Sequence, residues 1–212
     1  MKKLSIIFLF CGLITGCTVK KTEDPDTFHT ICNPLNLNYR FQPDEPSRRE
    51  AADPTVILFR DNYYLFASKS GGYWHSDNLA DWQFLETDEI PTEEYAPTAI
   101  AIGDTVYFLA SSRVKSTIYK TADPLSGQWE IAIETLEIPV WDPAFYLDDD
   151  GRLYLYWGCS NFAPIRGVEV DYDNHFRFIG EPRQLIFAHP EKYGWEVPGD
   201  YNTLKGQAPW IE

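Results

Sequence analysis

The feature that most constrains the fold is a module that occurs three times along the chain. Each copy starts with an Asp or Ala before Pro, continues with β-forming residues, and reaches a Gly- or Asp-bearing turn and an aromatic run. The copies begin at Asp53-Pro54, Ala96-Pro97 and Asp142-Pro143, which lie 43 and 46 residues apart (53 to 96 and 96 to 142). A strand-built period of about 40–50 residues is typical of β-propeller blades. The sequence therefore predicts an all-β propeller.

Each module reads as strand, tight turn, strand, turn and strand, and a second pattern recurs in the first two copies. There a strand is followed by a Ser or Thr and an Asp, and then by a Trp ahead of the next strand, which is Trp82 in the first copy and Trp129 in the second. We interpret both Trp residues as packing between blades. The third copy departs from this pattern at 167–171 and 176–178.

The Pro at the start of each module has a physical reason. Pro lacks an N–H, so it is placed at a sheet edge or at the first residue of a strand, and the innermost strand of a blade is such an edge. The residue before Pro is pushed towards an extended backbone, which we expect to direct the side chains of Asp53 and Asp142. Radial stacking of blades would make these two carboxylates face each other across a central pocket.

The N-terminus carries the features of an export signal. A basic start, Met1-Lys2-Lys3, precedes an apolar run at 4–14 that is too short to span a bilayer. The segment Leu13-Ile14-Thr15-Gly16-Cys17 resembles a bacterial lipobox, in which Cys17 is lipidated and becomes the first mature residue.

This signal divides the chain into three parts. We assign residues 1–17 to a lipoprotein signal peptide, 18–50 to a polar tether and lead-in, and 51–212 to a partial propeller domain. The expected location is the bacterial cell envelope, with membrane contact only through the lipid anchor.

Charge and cysteine usage restrict the partners further. The formal net charge of −14 argues against nucleic acid and against anionic membrane surfaces. Outside the signal segment, Cys32 and Cys159 remain, and export permits a disulfide without showing that they pair. The chain has no CxxC motif and its four His are scattered, so we predict no metal site.

The last part of the chain is longer than one module. Residues 187–205 are rich in Gly, Pro, Trp and Tyr and are predicted to form a long inter-blade loop, after which Ala208-Pro209 resembles the start of a fourth module. About three blades and the start of a fourth do not close a ring, and an open propeller exposes strand edges. We therefore expect the sequence to be a fragment of a longer protein or to come from an interrupted gene.

Taken together, the motifs resemble glycoside hydrolase family 43 over about residues 33–212. The segments that carry the resemblance are 52–56, 76–82, 95–98, 141–145, 151–158 and 210–212. The family consists of exported five-bladed propellers that hydrolyse arabinose-, xylose- or galactose-containing plant polysaccharides with inversion. The resemblance implies a carbohydrate substrate and no redox or nucleotide cofactor. The resemblance is compatible with a structural Ca²⁺ on the propeller axis, although no residue pattern in this sequence indicates one.

The resemblance also assigns catalytic roles. It makes Asp53 the general base, Asp142 the carboxylate that tunes the acid and orients the sugar, and Glu212 the general acid. The Gly that follows this Glu in the family is not in the chain. These residue types suit the chemistry, because inversion needs an acid for the leaving oxygen and a carboxylate for the attacking water, about 6.5–9.5 Å apart.

Aromatic residues near the module starts are candidates for sugar contact. Tyr95 stands where the family often has a Trp, Trp141 precedes Asp142, and Trp74 is a third candidate. For each of these residues, packing between blades is an alternative role, because large aromatic side chains also fill such spaces. The run Asp148-Asp149-Asp150-Gly151 lacks the further ligands of a calcium loop and is predicted to be a solvated hairpin turn.

Three functions fit the sequence. The leading hypothesis is an inverting arabinofuranosidase, xylosidase or arabinanase. A surface propeller that binds glycans without cutting them, or an inactive truncated fragment, is the main alternative, and the intact Asp53/Asp142 pair favours the enzyme. A retaining hydrolase of fructans is the third, and a carboxyl separation near about 5 Å would favour it.

Overall fold

The structure is a computed structural model and describes residues 37, 52–90, 94–159, 163–189 and 192–193. Within these ranges the chain forms twelve β-strands, arranged in three four-stranded antiparallel sheets, and one single-turn 3-10 helix, Pro124–Ser126. No helix in this part of the protein has the length and apolar character needed to cross a membrane.

Each sheet is built from one sequence module, and its strands follow one another in chain order. The first contains β1 (Thr55–Phe59), β2 (Asn62–Phe66), β3 (Gly72–Ser76) and β4 (Gln83–Glu86). The second contains β5 (Thr98–Ile102), β6 (Thr105–Leu109), β7 (Ile118–Thr121) and β8 (Glu130–Ile133). The third contains β9 (Ala144–Leu147), β10 (Leu153–Trp157), β11 (Ile165–Asp171) and β12 (Arg177–Ile186).

A four-stranded antiparallel meander is the blade of a β-propeller. The three predicted modules are therefore confirmed as three blades, which we call the first, second and third blade. The fourth strand of each blade completes the pattern of three strands and turns that each module shows in the sequence. The predicted start of a fourth blade lies outside the described residues.

The first hairpin of each blade depends on its turn. Two-residue turns need a positive φ, and Arg60 (53°) supplies it in the first blade and Gly103 (56°) in the second. In the third blade the loop is longer, and the Asp148 N–H donates to the Arg152 carbonyl at 2.8 Å while the Gly151 N–H donates to the Asp148 carbonyl at 2.9 Å. The predicted hairpin turn at 148–151 is confirmed.

Successive blades pack through apolar clusters. Alternate residues of β6 point to opposite faces of its sheet, so Val106 and Phe108 lie in the cluster shared with the first blade, and Leu109 lies in the one shared with the third. Trp129 belongs to the cluster between the first and second blades, and Trp82 lies in a smaller cluster in the first. Both Trp residues are 7% exposed. Packing between blades is confirmed for Trp129, whereas the cluster around Trp82 contains residues of the first blade and Leu37.

The innermost strands β1, β5 and β9 lie side by side, and side chains join their starting ends. The Thr55 hydroxyl donates to the Pro97 carbonyl at 3.0 Å, which links the first blade to the second. At the equivalent position of the second blade, the Thr98 hydroxyl accepts the N–H of Phe145 at 3.1 Å. The starts of all three inner strands are therefore held at the same end of the stack.

Candidate active site

The residues that precede Pro occupy equivalent positions at the start of the three inner strands. Asp53, Ala96 and Asp142 have φ values of 51°, 49° and 50°, which lie in the left-handed region. An extended backbone was predicted at these positions, and that prediction is wrong. Positive φ is uncommon for residues other than Gly, and it persists only where the surrounding structure fixes it.

A backbone hydrogen bond fixes each of these positions from within its own blade. The carbonyl of the residue before the left-handed one accepts an N–H from the segment that follows the second strand of the blade. The three bonds are Ser68 N–H to Ala52 at 3.0 Å, Ser111 N–H to Tyr95 at 3.0 Å, and Gly158 N–H to Trp141 at 2.8 Å. The strand pairing places Ser68, Ser111 and Gly158 at equivalent positions, each two residues beyond the partner of the first residue after Pro.

The hydroxyls of the two Ser residues make further bonds at the junctions between blades. Ser68 Oγ accepts the Ala96 N–H at 2.9 Å and donates to Asp53 Oδ2 at 3.1 Å. Ser111 Oγ accepts the Asp142 N–H at 2.9 Å and donates to Asp142 Oδ1 at 3.3 Å. Both Ser residues are buried, with 0% and 3% of their surface exposed.

Asp53 and Asp142 therefore lie at the same end of the inner strands, on either side of the buried Ala96. Asp53 is exposed to solvent and Asp142 is half-buried. The third predicted carboxylate, Glu212, lies outside the described residues, as do Cys17 and Cys32. Among the residues that are described, no group of three or more His, Cys, Asp or Glu side chains is placed to hold a metal ion.

The aromatic residues next to these positions each carry a cation on the ring. Lys69 Nζ lies 5.0 Å from the ring centroid of Tyr95, and Arg113 Cζ lies 4.4 Å from that of Trp141. Both cations come from the loop after the second strand of the preceding blade, and such stacking stabilises a ring in one orientation. Tyr95 and Trp141 are half-buried, and they directly precede Ala96 and Asp142. Their contact with a sugar stays a prediction.

Trp74 has a different environment from the other two aromatic candidates. It is 1% exposed and lies in the first-blade cluster with Ala67 and Trp82, where its ring meets Phe84 edge-on at 4.8 Å between centroids. A ring buried to this degree has no free face for a sugar. The structure thus places Trp74 in the core, which is the alternative that the sequence left open.

The sequence analysis missed the residues that hold the site together, which are Ser68, Ser111, Lys69 and Arg113. One signal was present, because an Ala-Ser pair follows the second strand in both of the first two modules, at Ala67-Ser68 and Ala110-Ser111. Each of the two hydroxyls accepts an N–H from the next blade, and no local pattern in the sequence specifies such a partner.

The fold and the site define a β-propeller with acidic residues at the starts of two inner strands. Residues 47–198 match the family model described as glycosyl hydrolases family 43. This range is more than half of the 212-residue chain, and the chain belongs to that family. A search of curated proteins finds no match.

Solved structures of similar fold include three glycoside hydrolases. An α-L-arabinofuranosidase from Clostridium thermocellum has 15% identity and a TM-score of 0.52, with 63% of this chain and 55% of that chain covered. A xylan β-1,4-xylosidase from Bacillus halodurans has 18% identity and a TM-score of 0.52, with 73% of this chain and 33% of that chain covered. A thermostable family-43 glycoside hydrolase has 22% identity and a TM-score of 0.53, with 72% of this chain and 55% of that chain covered. At such identities these structures show the fold alone. The matched part spans from a third to just over half of their length.

Proposed function

We propose that the protein containing this chain hydrolyses glycosidic bonds in plant-type polysaccharides or oligosaccharides that contain arabinose, xylose or galactose. Membership of a glycoside hydrolase family supports the reaction class. The observation that carries the proposal for this chain is the equivalent placement of Asp53 and Asp142 at the same end of two inner strands, β1 and β9, which are separated by β5. Glycoside cleavage uses carboxyl groups as acid and base, and these strand starts bring carboxylates to one end of the stack.

The proposed mechanism is inversion. The Asp53 carboxylate accepts a proton from water while the water oxygen attacks the anomeric carbon, and the exposure of Asp53 supports access by that water. Glu212 donates its proton to the leaving oxygen as the glycosidic bond breaks. Asp142 orients the sugar and tunes the acid, and Tyr95 and Trp141 contact the substrate.

Hydrolysis of aryl α-L-arabinofuranosides and aryl β-D-xylosides by the full-length natural protein tests the proposal. We expect Asp53→Asn to lose about 1,000-fold in kcat, the size of a general-base contribution. Asp61→Asn, in the exposed turn between β1 and β2, is the control and should keep full activity. Undiminished turnover in Asp53→Asn would remove Asp53 as the base. Repeating the assay with EDTA tests whether a structural Ca²⁺ is also needed.

Two further readouts separate this proposal from the alternatives. Proton NMR of the first product gives its anomeric configuration, and inversion is expected, whereas retention would favour the hydrolases that use a nucleophile. Binding of arabinan or xylan without any cleavage, by the wild-type protein, would favour a binding propeller.

We also propose that Cys17 is lipidated and anchors the mature protein to the bacterial envelope. The support is the lipobox-like segment that ends at this residue. Growth with an alkyne-tagged fatty acid should label the wild-type protein and not Cys17→Ser. A labelled Cys17→Ser protein, or a mature N-terminus at another residue, would contradict the assignment.

A further inference from the structure

We propose that Ser68 and Ser111 are positioning residues that orient the two site aspartates from the junctions between blades. The proposal rests on the function proposed above for Asp53 and Asp142. Both Ser residues accept the N–H of the left-handed residue that starts the next blade, Ala96 in one case and Asp142 in the other. Each Ser then has one hydroxyl proton left to donate.

The direction of that donation follows the placement of the carboxylates. Ser68 lies between Asp53 of its own blade and Ala96 of the next, and it donates to Asp53 Oδ2. Ser111 lies between Ala96 of its own blade and Asp142 of the next, and it donates to Asp142 Oδ1. The two Ser residues share a backbone role, yet each hydroxyl proton goes to the one neighbour that has a carboxylate.

Because the two Ser hydroxyls are buried, their bonds restrict the orientation of the Asp53 and Asp142 carboxylates. A buried hydroxyl has to be satisfied by the protein around it, and Ser68 and Ser111 are 0% and 3% exposed. A hydroxyl that donates to a carboxylate makes a charge-assisted bond, which is stronger than one between neutral groups. Rotation of the Asp53 carboxylate away from Ser68 would therefore leave a buried donor without its acceptor, and the bond commits Oδ2 to Ser68. We assign the other oxygen, Oδ1, to the attacking water.

The third blade shows that the fold does not require a hydroxyl at this position. Gly158 is the equivalent residue, and its N–H makes the same backbone bond, to Trp141 at 2.8 Å. A Cβ on Gly158 would lie 2.9 Å from the Ile165 Cα and 3.2 Å from the Pro164 carbonyl oxygen, so any side chain there would displace neighbouring backbone. The blade forms without the hydroxyl, and Asp142, the aspartate of this blade, receives its hydroxyl bond from Ser111 of the preceding blade instead.

The test compares buried Ser residues that differ in whether they contact a carboxylate. Ser68→Ala and Ser111→Ala in the full-length enzyme are expected to lose about 10- to 100-fold in kcat, the range for a hydrogen bond to a charged group. Ser70→Ala and Ser116→Ala are matched controls. Ser70 and Ser116 are 3% and 1% exposed, and their hydroxyls bond to backbone groups. The controls should keep their kcat.

The split between kcat and KM separates positioning from a purely structural role. Without the Ser68 hydroxyl, the Asp53 carboxylate can leave the orientation that the transition state needs, so kcat should fall while KM changes little in Ser68→Ala. Ser68→Thr keeps a hydroxyl and should restore part of kcat. Unchanged kcat in Ser68→Ala would overturn the proposal.

A double variant keeps the proposal testable if Ser68→Ala folds poorly. In an Asp53→Asn background, Ser68→Ala should cause little further loss of kcat, whereas a structural role would lower it again and would contradict the proposal. Failure of the proposed function is distinguishable, because it appears as full activity of Asp53→Asn by itself. An inactive Asp53→Asn variant together with a fully active Ser68→Ala variant would contradict the positioning role of the Ser residues and leave the proposed function standing.

Discussion

At the scale of single residues, two glycines with positive φ have different surroundings: Gly72, the first residue of β3, and Gly103, in the turn between β5 and β6. Gly72 has a φ of 151°, and a Cβ there would lie 2.1 Å from the Leu85 carbonyl oxygen, which is backbone and cannot move aside. Gly103 has a φ of 56°, and nothing lies within 4 Å of a Cβ built on it. The two positions therefore share unfavourable backbone angles but differ in available space.

This difference predicts unequal effects of the same substitution. Gly103→Ala should cost about 1 kcal/mol of unfolding free energy, from the left-handed backbone alone. Gly72→Ala should cost about 3 kcal/mol, because overpacking adds to the backbone cost. Urea unfolding followed by tryptophan fluorescence measures both, and equal losses would contradict the assigned contact with Leu85.

The sequence predicted the equivalence of Asp53 and Asp142 but not their backbone conformation. Asp53 and Asp142 were identified as equivalent because Pro and β-formers follow both, and strand pairing confirms the equivalence. Their positive φ was not predictable, because local sterics before Pro favour extended backbone. The bonds that reverse this preference come from Ser68 and Ser111, which are distant in sequence.

At the scale of elements, a buried tyrosine joins two blades. Tyr73 in β3 is fully buried, and its hydroxyl donates to the Pro124 carbonyl at 2.6 Å while it accepts the indole N–H of Trp129 at 3.1 Å. The three aromatic rings of Phe66, Tyr73 and Trp129 meet within 6.0 Å between centroids. This contact connects β3 to the 3-10 helix and to the segment before β8.

Removal of this hydroxyl should weaken the junction between the first and second blades. Tyr73→Phe leaves the Trp129 N–H and the Pro124 carbonyl without their partner, which should cost about 1–3 kcal/mol of unfolding free energy. Tyr146→Phe, at a side chain that is 52% exposed, is the control and should change it by less than about 0.5 kcal/mol. Denaturant melts of both variants would show the difference, and equal stability of the two would argue against the junction.

The same tyrosine predicts a pH dependence. Burial raises the pKa of Tyr73 from its usual 10.0 to about 12. Between pH 10 and 12 the folded state keeps a proton that the unfolded chain releases, so this contribution is complete below pH 10 and is lost as the pH rises through 12. The stability difference between wild type and Tyr73→Phe should therefore narrow over this range. A difference that stays constant from pH 9 to 12 would contradict the assignment.

At the scale of the whole molecule, the repeat explains both the success and the limits of sequence-based prediction. Module spacing predicted the blades, and the turn residues predicted the first hairpins, because both depend on short stretches of chain. For Trp74 the sequence allowed either packing in the core or contact with a sugar. The pairing of β3 with β4 decides between them, because it places the ring in the core against Phe84. Contacts between blades link residues 42 and 47 positions apart, as at Thr55–Pro97 and Thr98–Phe145, and need the assembled stack.

The stacking of blades is expected to bring Asp53 and Asp142 to one sugar site. A crystal structure of the full-length protein with arabinose or xylose bound tests this most directly. We expect both carboxylates to lie within hydrogen-bond reach, about 3.2 Å, of the same sugar or of a water beside its anomeric carbon. Ser68 should contact Asp53 in that complex. A sugar bound elsewhere, or the two carboxylates facing separate cavities, would contradict the claim.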